Sequence, residues 1–520
     1  MSDEGNAPNA KRLLWAGFMA ILAAGVGFSV RGGILGQWAE QFGFTMTELG
    51  TITGGGLTGF GLVIIITSLF ADKIGYGKLM VAAFVLHFVS AVLTLATPAF
   101  FASGGKESAY WCLFIAMFIF AIGNGVCEAV VNPLTATLFP KNKTHYLNIL
   151  HAGWPAGLVL GGLASTFMSA SVDAAGKVTA PAIDWKIQMS LFLIPVVLYG
   201  VLLLGQKFPK SEAASAGVTL GEMITTVAAP LMLVLLLIHA LVGYVELGTD
   251  SWISKITGSI MASPAAGLKL FVYTSMLMFA LRFVAGPIVH KISPLGLLMV
   301  SGILGAIGLT LLGGATSVIG CIIAATVYAC GKTFLWPTML AVASERFPKG
   351  GAVAIGLMGG VGMLSAGLLG GPAIGYKQDY FASKQLEAKA PETYSRYSVS
   401  EPKGFLFLPK IKGLDGAKVG VLNDSGKELA NVGASLAKDG KTDKNHDELA
   451  KWWESSKAAS ASDIAPVSDA TVEGGRMALK VTAVVPAIMA VLYLLLILYF
   501  KSKGGYKALN VAEENALERH

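Results

Sequence analysis

The sequence predicts an all-α membrane protein of twelve transmembrane helices, arranged as two six-helix pseudo-symmetric bundles. Three observations carry this. Mean hydropathy is +0.64, and 54% of residues are apolar while 14% are charged, against about 25% charged in a soluble domain. Twelve runs of roughly 20 apolar residues are long enough to cross a bilayer: 13–36, 49–71, 79–101, 110–138, 147–171, 187–205, 228–254, 268–289, 295–314, 318–344, 351–375 and 477–500. A hydrophilic stretch at 206–227 divides them into six and six.

The first run is a span rather than a cleaved leader, because eleven more follow and no small-residue cleavage site closes it. With the N-terminus cytoplasmic, inner loops and tails hold fourteen Lys or Arg. The short outer loops hold five: Lys106, Lys177, Lys186, Lys255 and Lys269. Lys and Arg concentrate on the cytoplasmic side of membrane proteins, so both termini are expected inside, and compact loops fit a bacterial inner membrane. The net charge of +7 is then ordinary and gives no reason to invoke nucleic acid. Cys112, Cys127, Cys321 and Cys330 lie in or beside spans, without a CxxC pair or a histidine at metal-ligand spacing. They read as buried thiols, with no metal and no cofactor implied. Glycine-rich stretches lie inside spans and lack the Gly-Lys-Ser/Thr ending of a nucleotide-binding loop.

The expected organisation is a first bundle at 1–205, a cytoplasmic linker at 206–227, five helices of a second bundle at 228–375, an extracytoplasmic insertion at 376–476, helix twelve at 477–500 and a cytoplasmic tail at 501–520. The halves show internal similarity. Glu128 stands five residues before Pro133 in span four, and Lys332 five before Pro337 in span ten. Spans five and eleven are both glycine-laden, a composition that lets helix backbones approach closely. Repeats with a site between them are a recurrent transporter design. The insertion is polar, with 404–412 and 417–422 readable as short strands and 427–470 as polar helix or disorder.

Charges inside apolar runs point to function, because each costs about 2.5–3.5 kcal/mol at membrane depth on insertion scales. Arg31, Glu128, Glu246, Asp250 and Lys332 are such residues. Asn124, Glu128 and Asn132 fall at i, i+4 and i+8, on one helical face. A carboxyl kept from water holds a proton more readily, which suits a proton carrier; the plainer alternative is a polar seam tying span four to a neighbour. Arg31 either pairs with Glu128 or offers its guanidinium to a carboxylate, phosphate or sugar hydroxyl. Lys332, too deep to reach water, needs a partner, with Glu246 or Glu128 as candidates, whereas Asp250 near the outer end is expected to be hydrated. Trp154 and Trp336 offer flat faces for a sugar ring, or simply pack.

The loop Ser68-Leu-Phe-Ala-Asp72-Lys73-Ile74-Gly75-Tyr76-Gly77-Lys78, set in this architecture, resembles the signature of the major facilitator superfamily, with Ser68 standing where that signature has glycine. Within it, Gly123-Asn-Gly-Val-Cys-Glu128-Ala-Val-Val-Asn132-Pro133, Leu147-Asn148-Ile-Leu-His151 and Gly243-Tyr244-Val-Glu246 resemble the fucose–proton symporter group. One departure is Arg31-Gly32-Gly33, where those symporters carry a span-one aspartate. The resemblance places Glu128 at the acidic position of that group and so implies it as the proton-coupling residue, while Arg31, Asn124, Asn132, His151, Trp154, Tyr244, Glu246, Lys332 and Trp336 together are the candidate substrate contacts. It further implies a gate of Asp72, Lys73 and Gly75, with Asp72 facing the N-terminal end of span eleven near Gly350-Gly351.

The expected function is secondary transport of a small polar solute, a monosaccharide, by alternating access and coupled to protons. Partners are then the solute, protons and the lipid bilayer, and no enzyme activity is expected. One alternative keeps the fold but moves an organic anion on Arg31 and Lys332. Another is a receptor or scaffold acting through the 376–476 loop.

Overall fold

The computed structural model describes residues 7–44, 46–54, 56–169, 171–172, 178–438 and 442–518; Lys177 lies outside them. Among these residues, eleven helices are long and apolar enough to cross a membrane. One of them, Tyr76–Leu138, is two spans in series, because Gly105 breaks it with φ 68° and ψ −159°. Glycine reaches that conformation at little steric cost. Counted as two, this helix brings the spans to twelve. The first half comprises Ala10–Gly33, Glu48–Ile74, the two arms of Tyr76–Leu138, Lys143–Met168 and Trp185–Leu203. The second comprises Pro230–Ile260, Pro264–Arg282, Ala285–Gly314, Val318–Arg346, Pro348–Lys389 and Lys444–Ser502. Ala285–Gly314 is itself interrupted at Ser293, so span nine proper starts at Pro294. The only strands among the described residues are Ser171–Val172 and Val178–Ala180, paired antiparallel beside span five.

The glycines of spans five and eleven are where helix backbones meet. A Cβ on Gly157 would collide with the Leu22 carbonyl of span one, and one on Gly356 with the Ser68 side chain of span two. Spans seven and eleven also meet closely, Gly248 against Gly370, and each carries a π-helical turn there: Tyr244–Gly248 and Ala366–Gly370. Such turns inside α-helices often mark functional positions.

The insertion is a folded helical cap. The helix of span eleven continues beyond its apolar stretch to Lys389, and span twelve is preceded by Ser460–Thr482. These two stalks pack together, with Gly474 against the Gln378 carbonyl and Ala382. Shorter helices complete the cap around a small core that includes Leu386, Tyr397, Leu422 and Val467. Arg396 holds the buried Asp463 by two hydrogen bonds, of 2.8 and 2.6 Å, and Thr393 donates a third of 2.8 Å. The short strands expected here are not observed. Residues 416–424 are helical, started by Asp415, whose side chain accepts from the amides of Ala417 and Lys418. Between 403 and 411 a single bridge forms.

The face opposite the cap collects both chain ends and the linker. Asn9 donates to Gln206 and Lys207, and the Val511 amide donates to Glu212. The halves are bolted together on this terminal face. Thr144 donates to Glu345 at 2.9 Å, Lys143 to the Ser344 carbonyl at 3.1 Å and Asn148 to Thr338 at 3.2 Å. Tyr506 of the tail donates to the second oxygen of Glu345 at 2.6 Å. Every cross-half hydrogen bond among the described residues lies on this face or at the level of the central cavity.

Candidate functional site

A cavity of about 490 Å³, counting the space at its mouth, lies between the halves at mid-depth. Span one supplies Ile21 and Ala24, span two Phe60, span four Asn124, Cys127 and Glu128, and span five His151 and Trp154. From the second half come Glu246, Leu247, Arg282, Trp336 and Met363.

On the first-half wall the polar groups form two hydrogen-bonded chains. His151 Nε2 donates to Asn132 Oδ1 at 2.8 Å, and Asn132 Nδ2 donates to Glu128 Oε1 at 3.0 Å. His151 Nε2 stands 3.6 Å from the same carboxylate oxygen, and the Trp336 indole approaches it from the other half. The i, i+4 spacing of Glu128 and Asn132 makes this possible, because it stacks both side chains on one face of span four. Asn124, one turn earlier, accepts from His87 Nε2 at 2.9 Å, and His87 Nδ1 accepts from Tyr199 at 2.9 Å.

The second-half wall is built from ion pairs. Arg282 Nη2 donates to Glu246 Oε1 at 3.1 Å, Nε to the Thr333 carbonyl at 2.9 Å, and Nη1 to the His151 carbonyl across the interface. Arg282 thus ties span eight to spans seven, ten and five at once. Lys332 pairs with Asp250 rather than with Glu246 or Glu128. Asp250, expected to be hydrated, is instead a half-buried partner of the buried Lys332, because span ten brings that ammonium against span seven at that level. Trp336 packs on His239, ring centres 4.6 Å apart.

Of the residues singled out from sequence, Asn124, Glu128, His151, Trp154, Glu246 and Trp336 line the cavity, and Asn132 stands directly behind Glu128. Arg31, Tyr244 and Lys332 do not line it. Arg31 does not pair with Glu128 either: its guanidinium lies 3.9 Å from the Phe120 ring centre and donates to Ser90 at 2.8 Å. Aromatic faces and a hydroxyl there take the place of a carboxylate. Tyr244 accepts from Lys377 of the span-eleven stalk at 2.9 Å. At the terminal face Asp72 lies beside Gly351, with Ser211, Tyr76 and the Ala352 amide as neighbours. Lys73 is exposed, and Gly75 turns the chain at φ 93°.

Arg282, His239 and His87 are buried polar groups that sequence reasoning passed over. Arg282 carried the same signal as the others, a cation inside the apolar run Met276-Leu-Met-Phe-Ala-Leu-Arg282-Phe-Val.

Residues 17–371 match the Major Facilitator Superfamily. The chain belongs to the major facilitator superfamily. Comparison with curated protein sequences finds no significant match. Among solved structures, the superfamily transporter FucP in the outward conformation, the fucose–proton symporter of E. coli, aligns with a TM-score of 0.57 at 16% identity, covering 71% of this chain and 92% of FucP. The proton–xylose symporter XylE bound to 6-bromo-6-deoxy-D-glucose aligns at 0.57 and 15%, covering 73% and 91%. A bacterial homologue of the human lysosomal transporter Spinster, inward-facing and unoccupied, aligns at 0.59 and 15%, covering 94% and 97%. At these identities the likeness is one of fold. As a superfamily member the protein is a multi-pass membrane transporter, built of two six-helix halves.

Proposed function

We propose that the protein is a proton-coupled carrier of a monosaccharide, with Glu128 taking and releasing the proton. The observation that carries this reading is the contrast between the two cavity carboxylates. Glu246 is neutralised by Arg282, whereas Glu128 has no Lys or Arg at ion-pair distance among the described residues and faces His151 and Asn132 instead. A carboxyl can cycle between charged and neutral only where no permanent cation holds it ionised. His151 is a neutral neighbour at 3.6 Å from the carboxylate, its Nε2 hydrogen engaged by Asn132. Trp154 and Trp336 supply apolar faces from opposite halves, and Asn124, Glu128 and Glu246 supply the hydroxyl-binding groups that orient a sugar. The symporters FucP and XylE share this fold, which agrees with the reading.

The excess of basic residues in the loops of the terminal face orients that face to the cytoplasm. Closure there by Thr144, Lys143, Asn148 and Glu345 leaves the cavity to load from outside. Solute and proton bind, the halves rock, and the terminal-face bonds break to release both.

The test is uptake into proteoliposomes under an inward proton gradient, with labelled sugars, for wild type and Glu128→Gln. Gradient-driven accumulation should vanish in the variant while sugar exchange persists. Accumulation that survives the substitution refutes Glu128 as the carrier. A second reading, transport of an organic anion, now rests on Arg282, the one cationic side chain among the described residues that lines the cavity. It requires that organic anions compete with the labelled sugar.

A further inference from the structure

A second cavity opens on the terminal face, away from the central one. Its walls are the linker helix Leu220–Val227, the start of span seven at Ala228, Ala229 and Leu231, the end of span ten, and the end of span twelve with the tail beyond it. It encloses about 2050 Å³, counting its open mouth. The chain is shaped to build it: Gly504 and Gly505, at φ 90° and 101°, turn the tail back beneath the protein. The Leu509 amide then donates to the Glu345 carbonyl at 2.8 Å.

The cavity carries Arg346, Lys349, Lys503 and Lys507 against Glu222 and Glu514. Both acids already serve the protein. Glu222 accepts from the Thr219 amide and hydroxyl at 2.7 and 2.8 Å, and Glu514 accepts from the Lys349 amide at 2.7 Å. Arg346, Lys503 and Lys507 are less committed. Arg346 donates through Nη1 to the Lys507 carbonyl at 2.7 Å, while its buried Nε closes no hydrogen bond. The side chains of Lys503 and Lys507 are exposed and form no ion pair among the described residues. Beside these charges stand Leu231, Tyr499 and Phe500. The linker helix exposes Leu220 and Ile224 at i, i+4, an apolar face suited to the acyl boundary of a membrane.

We propose that this cavity binds a phosphate-bearing anion, with Arg346, Lys503 and Lys507 taking the phosphate. The same phosphate could come from the head group of an anionic phospholipid or from a soluble phosphate. The exposed apolar pair on the linker helix and the aromatic wall favour the lipid, whose chains would lie along span twelve. The site abuts the loop between spans ten and eleven and the tail that bonds Glu345, so its occupant stabilises the closed terminal face.

The experiment uses the full chain in neutral detergent and follows thermal unfolding during titration with phosphatidylglycerol, phosphatidylcholine or inorganic phosphate. The proposal expects saturable stabilisation by phosphatidylglycerol and none by phosphatidylcholine. Binding should weaken about fivefold for each of Lys503→Gln and Lys507→Gln, since one basic residue near an anionic surface contributes about 1 kcal/mol. These two are exposed, so the variants fold, and Arg346→Lys should retain more binding than Arg346→Gln. Equal stabilisation by inorganic phosphate, lost in the same variants, supports the site and assigns it to the soluble source. Phosphatidylglycerol stabilisation unchanged in the double Lys variant, or matched by phosphatidylcholine, overturns the proposal.

Discussion

The two walls of the central cavity solve the same problem, polar groups at membrane depth, in opposite ways. The second half pairs its deep charges among the described residues, Glu246 with Arg282 on the wall itself and Asp250 with Lys332 away from the lining. The first-half wall uses hydrogen bonds among Glu128, Asn132, His151, Asn124 and His87, and keeps its one deep arginine on aromatic rings outside the cavity. A paired ion is fixed by its partner, whereas a carboxyl bonded to an amide can change its proton without leaving an orphaned charge. The second half therefore supplies a rigid frame and the first half the titratable group.

The largest effect should come from unpairing the frame. Arg282→Met alone leaves Glu246 buried without a partner and removes the bonds to Thr333 and His151, and it should cost about 3–5 kcal/mol. The double variant Arg282→Met with Glu246→Leu should regain much of that. Unfolding midpoints of the singles and the double decide it, and equal losses in all three would break the comparison. Glu128→Gln, in contrast, should change stability by no more than about 1 kcal/mol, since Asn132 can still donate to the amide oxygen. Its damage should appear in coupling alone, so a loss as large as that of Arg282→Met would erase the difference between the walls.

Next comes the terminal-face closure. Thr144→Val removes one of the two side-chain donors on the buried Glu345 and should cost about 1–2 kcal/mol of the closed state. Spin-label distances across spans five and ten should then report more molecules open on that face. The smallest effect lies in the linker. Thr219 and Glu222 cap its helix reciprocally, and the Thr219 amide and hydroxyl hold the Glu222 carboxyl below its ordinary range. A lowered folded value means this support is present at neutral pH and is lost as pH falls through it. Amide exchange in 220–227 should accelerate on acidification in wild type, and Thr219→Ala should already be fast at neutral pH.

Much was legible in the sequence because membrane insertion is a local rule. Roughly twenty apolar residues must form a helix to satisfy their own backbone, so the twelve spans, the six-plus-six division and the insertion follow from composition along the chain. Deep charges stand out for the same reason, and Glu128 and Glu246, both lining the cavity, are legible from that pattern. Pairing is not local. That Lys332 meets Asp250, that Arg31 rests on Phe120, and that Arg282 reaches Glu246 depend on helix rotation and on glycine contacts between distant spans. The cap shows the same division. Its polarity marked it as outside the bilayer, but its helices came from two stalks packing together and from Asp463 buried against Arg396, contacts between segments about seventy residues apart. The chain thus determines which segments enter the membrane, and only their packing decides which charges meet.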